Sequence, residues 1–288
     1  MEQRRIGNRS VSAIGLGVMP MAIEGRPDEA RSIATIHAAL DAGVTFIDTA
    51  DAYHVRADDV GYGETLVARA LASYPGDAMN VLVATKGGHL RPGDGSWTVN
   101  GSPAYLHRAC EESIKRLGVS SIGLYQLHRP DRTVHYEDSV GVLAELLDAG
   151  KIEMAGISNA NPDQIRIAQD VLGGRLVSVQ NQFSPAFRSS KPELDLCEEM
   201  GIAFLPWSPL GGISRAGKLG DRFAAFATVA DELGVSPQRL CLAWELALSD
   251  VVVPIPGSSR PETIADSALA IEVHLDPDQI ARLNRAGS

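Results

Sequence analysis

Four side chains stand where apolar runs stop, and their types belong to one kind of chemistry. The run Val44-Thr45-Phe46-Ile47 ends at Asp48, and Tyr53 follows a short turn later. Residues 81–85 run into Lys86, and residues 122–127 run into His128. A free tyrosine has a pKa of about 10 and gives up its proton poorly at neutral pH. A lysine ammonium nearby favours the phenolate, and an aspartate beside the lysine keeps the lysine charged. At about 4 Å and an effective dielectric of about 20, one charge pair is worth about 4 kcal/mol, or roughly 3 pKa units. Desolvation of the phenolate opposes this, so a smaller net drop is expected, bringing Tyr53 toward the range where a general acid works well. An imidazole at His128 would hydrogen-bond a carbonyl oxygen and orient it.

Further strand ends carry amides and hydroxyls. Gly156-Ile157-Ser158-Asn159 supplies a hydroxyl and an amide, and Val179-Gln180-Asn181-Gln182 supplies more amides. Such groups suit a carboxamide, which has one acceptor oxygen and two donors. Taken singly, each is also an ordinary way to satisfy local backbone.

These residues share one face only if their strands are parallel. Residues 4–14 alternate around Gly7-Asn8 and read as a β-hairpin. Strands follow at 13–17, 44–48, 81–85, 122–127, 153–159, 177–183, 202–207 and 251–255. The spacing predicts helices over 28–42, 64–73, 102–117, 136–149, 162–172, 192–200, 221–248, 261–270 and 276–286, the 221–248 stretch broken at 234–237. Strand–helix alternation at this spacing implies parallel pairing through right-handed crossovers. Eight units in 288 residues fit a closed α/β barrel, a (β/α)8 TIM barrel with an N-terminal β-hairpin and extra helices. No linker or second domain is visible, so residues 1–288 read as a single barrel domain.

Composition narrows the partners. A net charge of −10 argues against a nucleic-acid backbone as partner. The three cysteines, Cys110, Cys197 and Cys241, form no CxxC pair and read as buried inert thiols, with no metal site. No apolar run reaches the length of a membrane span and no signal peptide is visible, so a cytoplasmic protein, monomeric or weakly oligomeric, is expected. His54 and His135 read as surface residues. Gly15-Leu16-Gly17 lacks the third glycine and the helix of a dinucleotide fingerprint. The loop-like run from Gly212 to Lys218 is followed by Leu219, which offers no hydroxyl for magnesium; it reads as a flap, with Arg215 or Lys218 reaching a phosphate.

The pattern of Asp48, Tyr53, Lys86 and His128 resembles the Asp, Tyr, Lys and His tetrad of the aldo-keto reductases, over nearly the whole chain. The resemblance implies reduction of an aldehyde or ketone to an alcohol with NADPH, NADH being possible, and a small-molecule carbonyl substrate. It assigns Ser158, Asn159 and Gln180 to the nicotinamide amide and Trp207 to stacking on the nicotinamide ring, with Asp48 also bordering the cofactor. Phosphates are expected after the last two strands, as is frequent in this fold. Ser208, Leu210 and Gly212 follow the seventh; Gly257, Ser258 and Arg260 follow the eighth, where a helix opens at Pro261 and offers an anion site. Arg260 can fork onto a 2′-phosphate, and Asp266 matches a family acid. Gly257 stands where lysine is common, Ser267 where asparagine is, and Met19 where a hydroxyl residue is, which loosens the NADPH preference. The long loop from residue 87 to residue 103 brings His89 and Trp97 as substrate-pocket candidates. Two other functions fit less of the sequence: an NADPH-binding sensor or regulatory subunit with little turnover, and a barrel isomerase or lyase using Lys86 as a Schiff base.

Overall fold

The computed structural model describes residues 2–286. Its centre is a seven-stranded parallel sheet whose strands lie in chain order. They are Leu16–Gly17, Phe46–Asp48, Leu82–Gly87, Leu124–Leu127, Ala155–Ser158, Leu176–Gln180 and Ala203–Phe204. The expected eighth strand does not form a continuous ladder, yet residues 251–257 close the barrel. Phe204 N donates to Val251 O, and Val253 N donates back to Phe204 O. On the other side, Gly15 N and Gly17 N donate to the carbonyls of Pro254 and Pro256. In a parallel strand alternate residues face alternate neighbours, and here both positions facing the first strand are prolines, which have no N–H to donate. At these two positions the seam to the first strand therefore carries bonds in one direction only.

Alternation along the strands separates the barrel's interior from its wall. Phe46, Leu82, Ala84, Leu124, Ala203 and Val253 form one interior cluster with Ile6 and Val11 of the antiparallel hairpin Gln3–Ile6 and Arg9–Ser12. The hairpin plugs the end of the barrel at which the strands begin. Gly7 takes φ +55° there, and a Cβ on it would lie 2.8 Å from Val177 and 2.9 Å from Met154, so only glycine fits both the turn and the contact.

Helices cover the outside, and most start and stop as predicted. Asp28 caps Glu29–Asp41, Gly118 ends Pro103–Leu117 in the left-handed region, and Asn161 and Asp276 head capping boxes. As expected, the 221–248 stretch is broken at Gly234 and Ser236, into Ala224–Leu233 and Pro237–Leu246. The loop after the third strand contains an unexpected β-hairpin, His89–Leu90 paired with Thr98–Val99. Among the described residues no helix is long and apolar enough to cross a membrane, and no cluster of side chains could hold a metal ion.

Candidate active site

Strand register sets the level of each functional side chain. Phe46 pairs with Leu82 and Asp48 with Ala84, while Lys86 pairs with Gln126 one step nearer the carboxyl end. Asp48, Lys86 and Gln126 are each two residues beyond an inward-facing apolar residue, so they point inward at the rim. Lys86 Nζ lies 2.6 Å from Asp48 Oδ1, 2.8 Å from Thr49 O and 3.3 Å from Tyr53 Oη. All three ammonium donors are used. Asp48 Oδ2 accepts from Gln180 Nε2 at 2.8 Å and from Gln126 Nε2 at 3.3 Å. Gly156 makes room for this layer, since a Cβ there would meet Ser178 Oγ at 2.2 Å and Gln126 Cγ at 3.0 Å.

Desolvation alone would lower the pKa of the buried Lys86, but Asp48 and Tyr53 together raise it above its ordinary value. This charged, fully engaged ammonium is the opposite of a Schiff-base lysine, which needs a free amine. For Tyr53 the expected direction is corrected. Burial raises its pKa, and the opposing pull of Lys86 does not overcome it. The phenol is thus neutral at physiological pH, and because its oxygen accepts from Lys86, its own proton is available to the cavity.

His128 stands edge-on to the Tyr53 ring, centroids 5.7 Å apart. Burial first, then the charge of Lys86, the neighbouring His89 and Arg129, hold its pKa well below the usual imidazole range. It is a neutral group whose Nδ1 is buried without a partner. His89 packs edge-on against it at 4.9 Å and is itself held down to about 4, mainly by burial. Trp97 lies against His89 at 4.6 Å, so the hairpin delivers both substrate-pocket candidates together. Arg91 ties this hairpin down: it covers the Trp97 ring and donates to His54 O and the Glu24 carboxylate. His54 is correspondingly buried, not on the surface as expected, with Nδ1 2.7 Å from Arg56 O; His135 is exposed.

These groups open into a cavity of about 660 Å³. Its walls include Asp48, Tyr53, His128, Ser158, Asn159, Gln180, Trp207, Ser208, Leu210, Gly212, Gly257, His89 and Trp97. Asn159 and Ser208, with φ +58° and +51°, are the two non-glycine residues with positive φ among those described. Both are cavity residues, and strained backbone of this kind concentrates at ligand sites. Ser158 Oγ donates to Gln180 O, and Asn159 Nδ2 donates to His128 O and Ser158 Oγ. Their donors are spent on holding the strand ends together, which leaves amide oxygens as the acceptors for a ligand amide.

Three predicted cofactor residues do not line the cavity. Ser258 bonds within its own turn, to Arg260 O and Thr263. Arg260 is exposed at the start of Pro261–Ala268, 3.7 Å from Glu262. Asp266 is engaged by Arg239 at 2.5 Å and by Ser236 at 2.5 Å. Ser258 and Arg260 continue the chain directly from the cavity residue Gly257. The expected flap is partly helical, with Ala216–Lys218 and Leu219–Arg222, and Arg215 and Lys218 are exposed.

A second polar cluster lies behind Lys86. Asp51 N donates to Lys86 O, and Tyr105 Oη donates to Asp51 Oδ2 at 3.0 Å. Glu64 is buried nearby, held by Thr85 and Arg116 at 2.6 Å each. Sequence reading overlooked Asp51, Gln126 and Arg129. The alternation that placed Lys86 would have placed Gln126, and Arg129 directly follows His128.

The family model for the aldo/keto reductase family matches residues 13–287. The chain belongs to the aldo/keto reductase family. It is 33% identical over 289 residues to an uncharacterized oxidoreductase of Schizosaccharomyces pombe, covering 98% of this chain and 89% of that protein. It is 36% identical over 283 residues to 6-dehydroglucose reductase of Novosphingobium aromaticivorans, covering 94% and 90%. An aldo/keto reductase from Klebsiella pneumoniae, solved with NADP and acetate, superposes with a TM-score of 0.81 at 28% identity, covering 98% and 94%. The fold is the TIM barrel of these enzymes, and the chain is an oxidoreductase by family.

Proposed function

We propose that this single barrel reduces an aldehyde or ketone to the alcohol, reversibly, with NADPH as cofactor and Tyr53 as the proton donor. The observation that carries the reading is the placing of a neutral phenol 3.3 Å from a buried ammonium, on a cavity wall shared with Ser158, Asn159, Gln180 and Trp207. The cofactor, when bound, supplies the hydride.

The roles of the side chains follow from their surroundings. Tyr53 gives its proton to the carbonyl oxygen as negative charge develops there. Lys86 then neutralises the phenolate left behind, and Asp48 keeps Lys86 charged and fixed. His128, held neutral by burial, orients the carbonyl by a hydrogen bond without competing as an acid. Asn159 and Gln180 offer amide oxygens to a nicotinamide carboxamide, Trp207 offers a ring face, and the loops carrying Ser208, Leu210, Gly212 and Gly257 suit a pyrophosphate. Arg260, exposed and loosely tied, favours a 2′-phosphate, with Ser258 and Asp266 assigned to the same cofactor. The NADP bound by the Klebsiella pneumoniae relative supports this cofactor.

Tyr53→Phe tests the proposal. Followed by NADPH absorbance over a panel of aldehydes and ketones, turnover should fall by about 10²–10⁴-fold. NADPH binding, followed by tryptophan fluorescence, should persist. Unchanged turnover in the variant would refute the assignment of Tyr53, and failure of the wild type to turn over any carbonyl would refute the reading as a whole.

A further inference from the structure

The cavity contains one guanidinium that the chemistry above leaves without a task. Arg129 follows His128 at the end of the strand Leu124–Leu127 and lines the cavity. Its Nε is buried with no hydrogen-bond partner, and among the described residues its side chain has neither a carboxylate nor a carbonyl to hold. Four other arginines are committed: Arg91 to Glu24 and His54 O, Arg26 to Asp59, Arg116 to Glu64 and Arg239 to Asp266; Arg215 and Arg260 are exposed and do not line the cavity. Among the described residues Asp48 is the sole carboxylate on the cavity wall, and Lys86, Gln126 and Gln180 already engage it.

An arginine keeps its charge under all ordinary conditions, and a half-buried charge without a partner is costly. Such a group is compensated when an anion arrives, and a planar fork suits a carboxylate best. Position distinguishes the possible anions. Arg129 adjoins the catalytic His128, and its charge is felt by both His128 and His89. The glycine-bearing loops suited to a pyrophosphate follow the seventh and eighth strands instead.

Resting on the carbonyl-reductase reading, we propose that the substrate carries a carboxylate and that Arg129 binds it while the carbonyl lies against Tyr53 and His128. The substrate class is then an aldehyde or ketone acid. His89 and Trp97 line the same cavity and offer flat ring faces to the substrate.

The test uses matched pairs, 4-oxobutanoate against butanal and 4-carboxybenzaldehyde against benzaldehyde, with NADPH. Wild type should favour the acid of at least one pair in kcat/KM. Arg129→Met should lower that acid-to-neutral ratio on the order of 10²-fold, with Arg129→Lys recovering part of it. An equal loss on both members of the pair, or no preference in wild type, overturns the proposal. A rise in the KM for NADPH alone would give Arg129 to the cofactor and also overturn it. Calorimetric titration of the NADPH-loaded protein with succinate should show binding that Arg129→Met abolishes; binding unaffected by the variant counts against the assignment. Wild-type activity on the neutral aldehydes reports on the carbonyl-reductase reading separately.

Discussion

Asp51 should make the protein less stable as pH rises through neutrality, and replacing it should remove that dependence. The side chain is 2% exposed, its Oδ1 has no partner, and Oδ2 receives only the Tyr105 hydroxyl. Burial, reinforced by the neighbouring Glu64 carboxylate, pushes its pKa up to about 8 from an ordinary 3.8. Between those values the folded chain keeps a proton that the unfolded chain releases. The stabilisation is complete below the unfolded value and is lost as pH climbs toward the folded one. Each pH unit inside that window removes about 1.4 kcal/mol, so from pH 5 to pH 7 the wild type should lose roughly 3 kcal/mol relative to Asp51→Asn. Unfolding entropy for 288 residues is about 0.6 kcal/mol/K, which turns that difference into about 5 °C of Tm. Asparagine retains an acceptor for Tyr105, and any cost of its extra N–H is the same at every pH. The assay is Tm by circular dichroism for both proteins at half-unit steps from pH 5 to pH 8, with the difference plotted. A flat difference would mean that Asp51 is ionised in the folded protein and that its burial is compensated by a partner, refuting the account of this cluster.

Other outcomes follow from single contacts. Lys86→Met should cut turnover by at least about 10²-fold, because it removes the charge that stabilises the phenolate and leaves Asp48 bound only by amides; activity within a few-fold of wild type would show that Lys86 does not act on Tyr53. Gly87→Ala would bring a Cβ to 2.1 Å from the Tyr125 hydroxyl and should destabilise by about 1–3 kcal/mol. Tyr125→Phe removes that hydroxyl, which has no partner, and should relieve part of the alanine's cost; additive effects in a denaturation double-mutant cycle would refute the clash. Since His128 is held neutral, kcat/KM should show no ionisation near pH 6.5, and such an inflection lost in His128→Gln would contradict the burial argument.

Much of the barrel was legible because its strands are short apolar runs closed by polar residues, and its helices are bounded by Asp, Asn, Pro and Gly at the expected ends. The convergence of Asp48, Tyr53, Lys86 and His128 was legible for the same reason: strand ends in a parallel barrel share a face, so residues distant in sequence have few places to go. What escaped depended on three-dimensional neighbours. The segment 251–257 reads as an ordinary strand, but only the register reveals that Pro254 and Pro256 both face the first strand. Nothing in a window around His54 foretells burial beneath Arg91, because the covering hairpin comes from more than thirty residues further on.

The direction of the Tyr53 shift escaped because proximity of charge is visible in a sequence pattern and the depth of burial is not. The correction changes what Lys86 does. With burial dominant, the phenol waits in its neutral form, as a proton donor must. In the proposed reaction the buried ammonium, fixed by Asp48, Thr49 and Tyr53, would do little for that resting acid and would act on the anion that appears once the proton has left. The same depth that raises Tyr53 also holds His128 neutral, so in the proposed reaction one physical cause would give the proton's delivery to the phenol and leave the imidazole to orient the carbonyl.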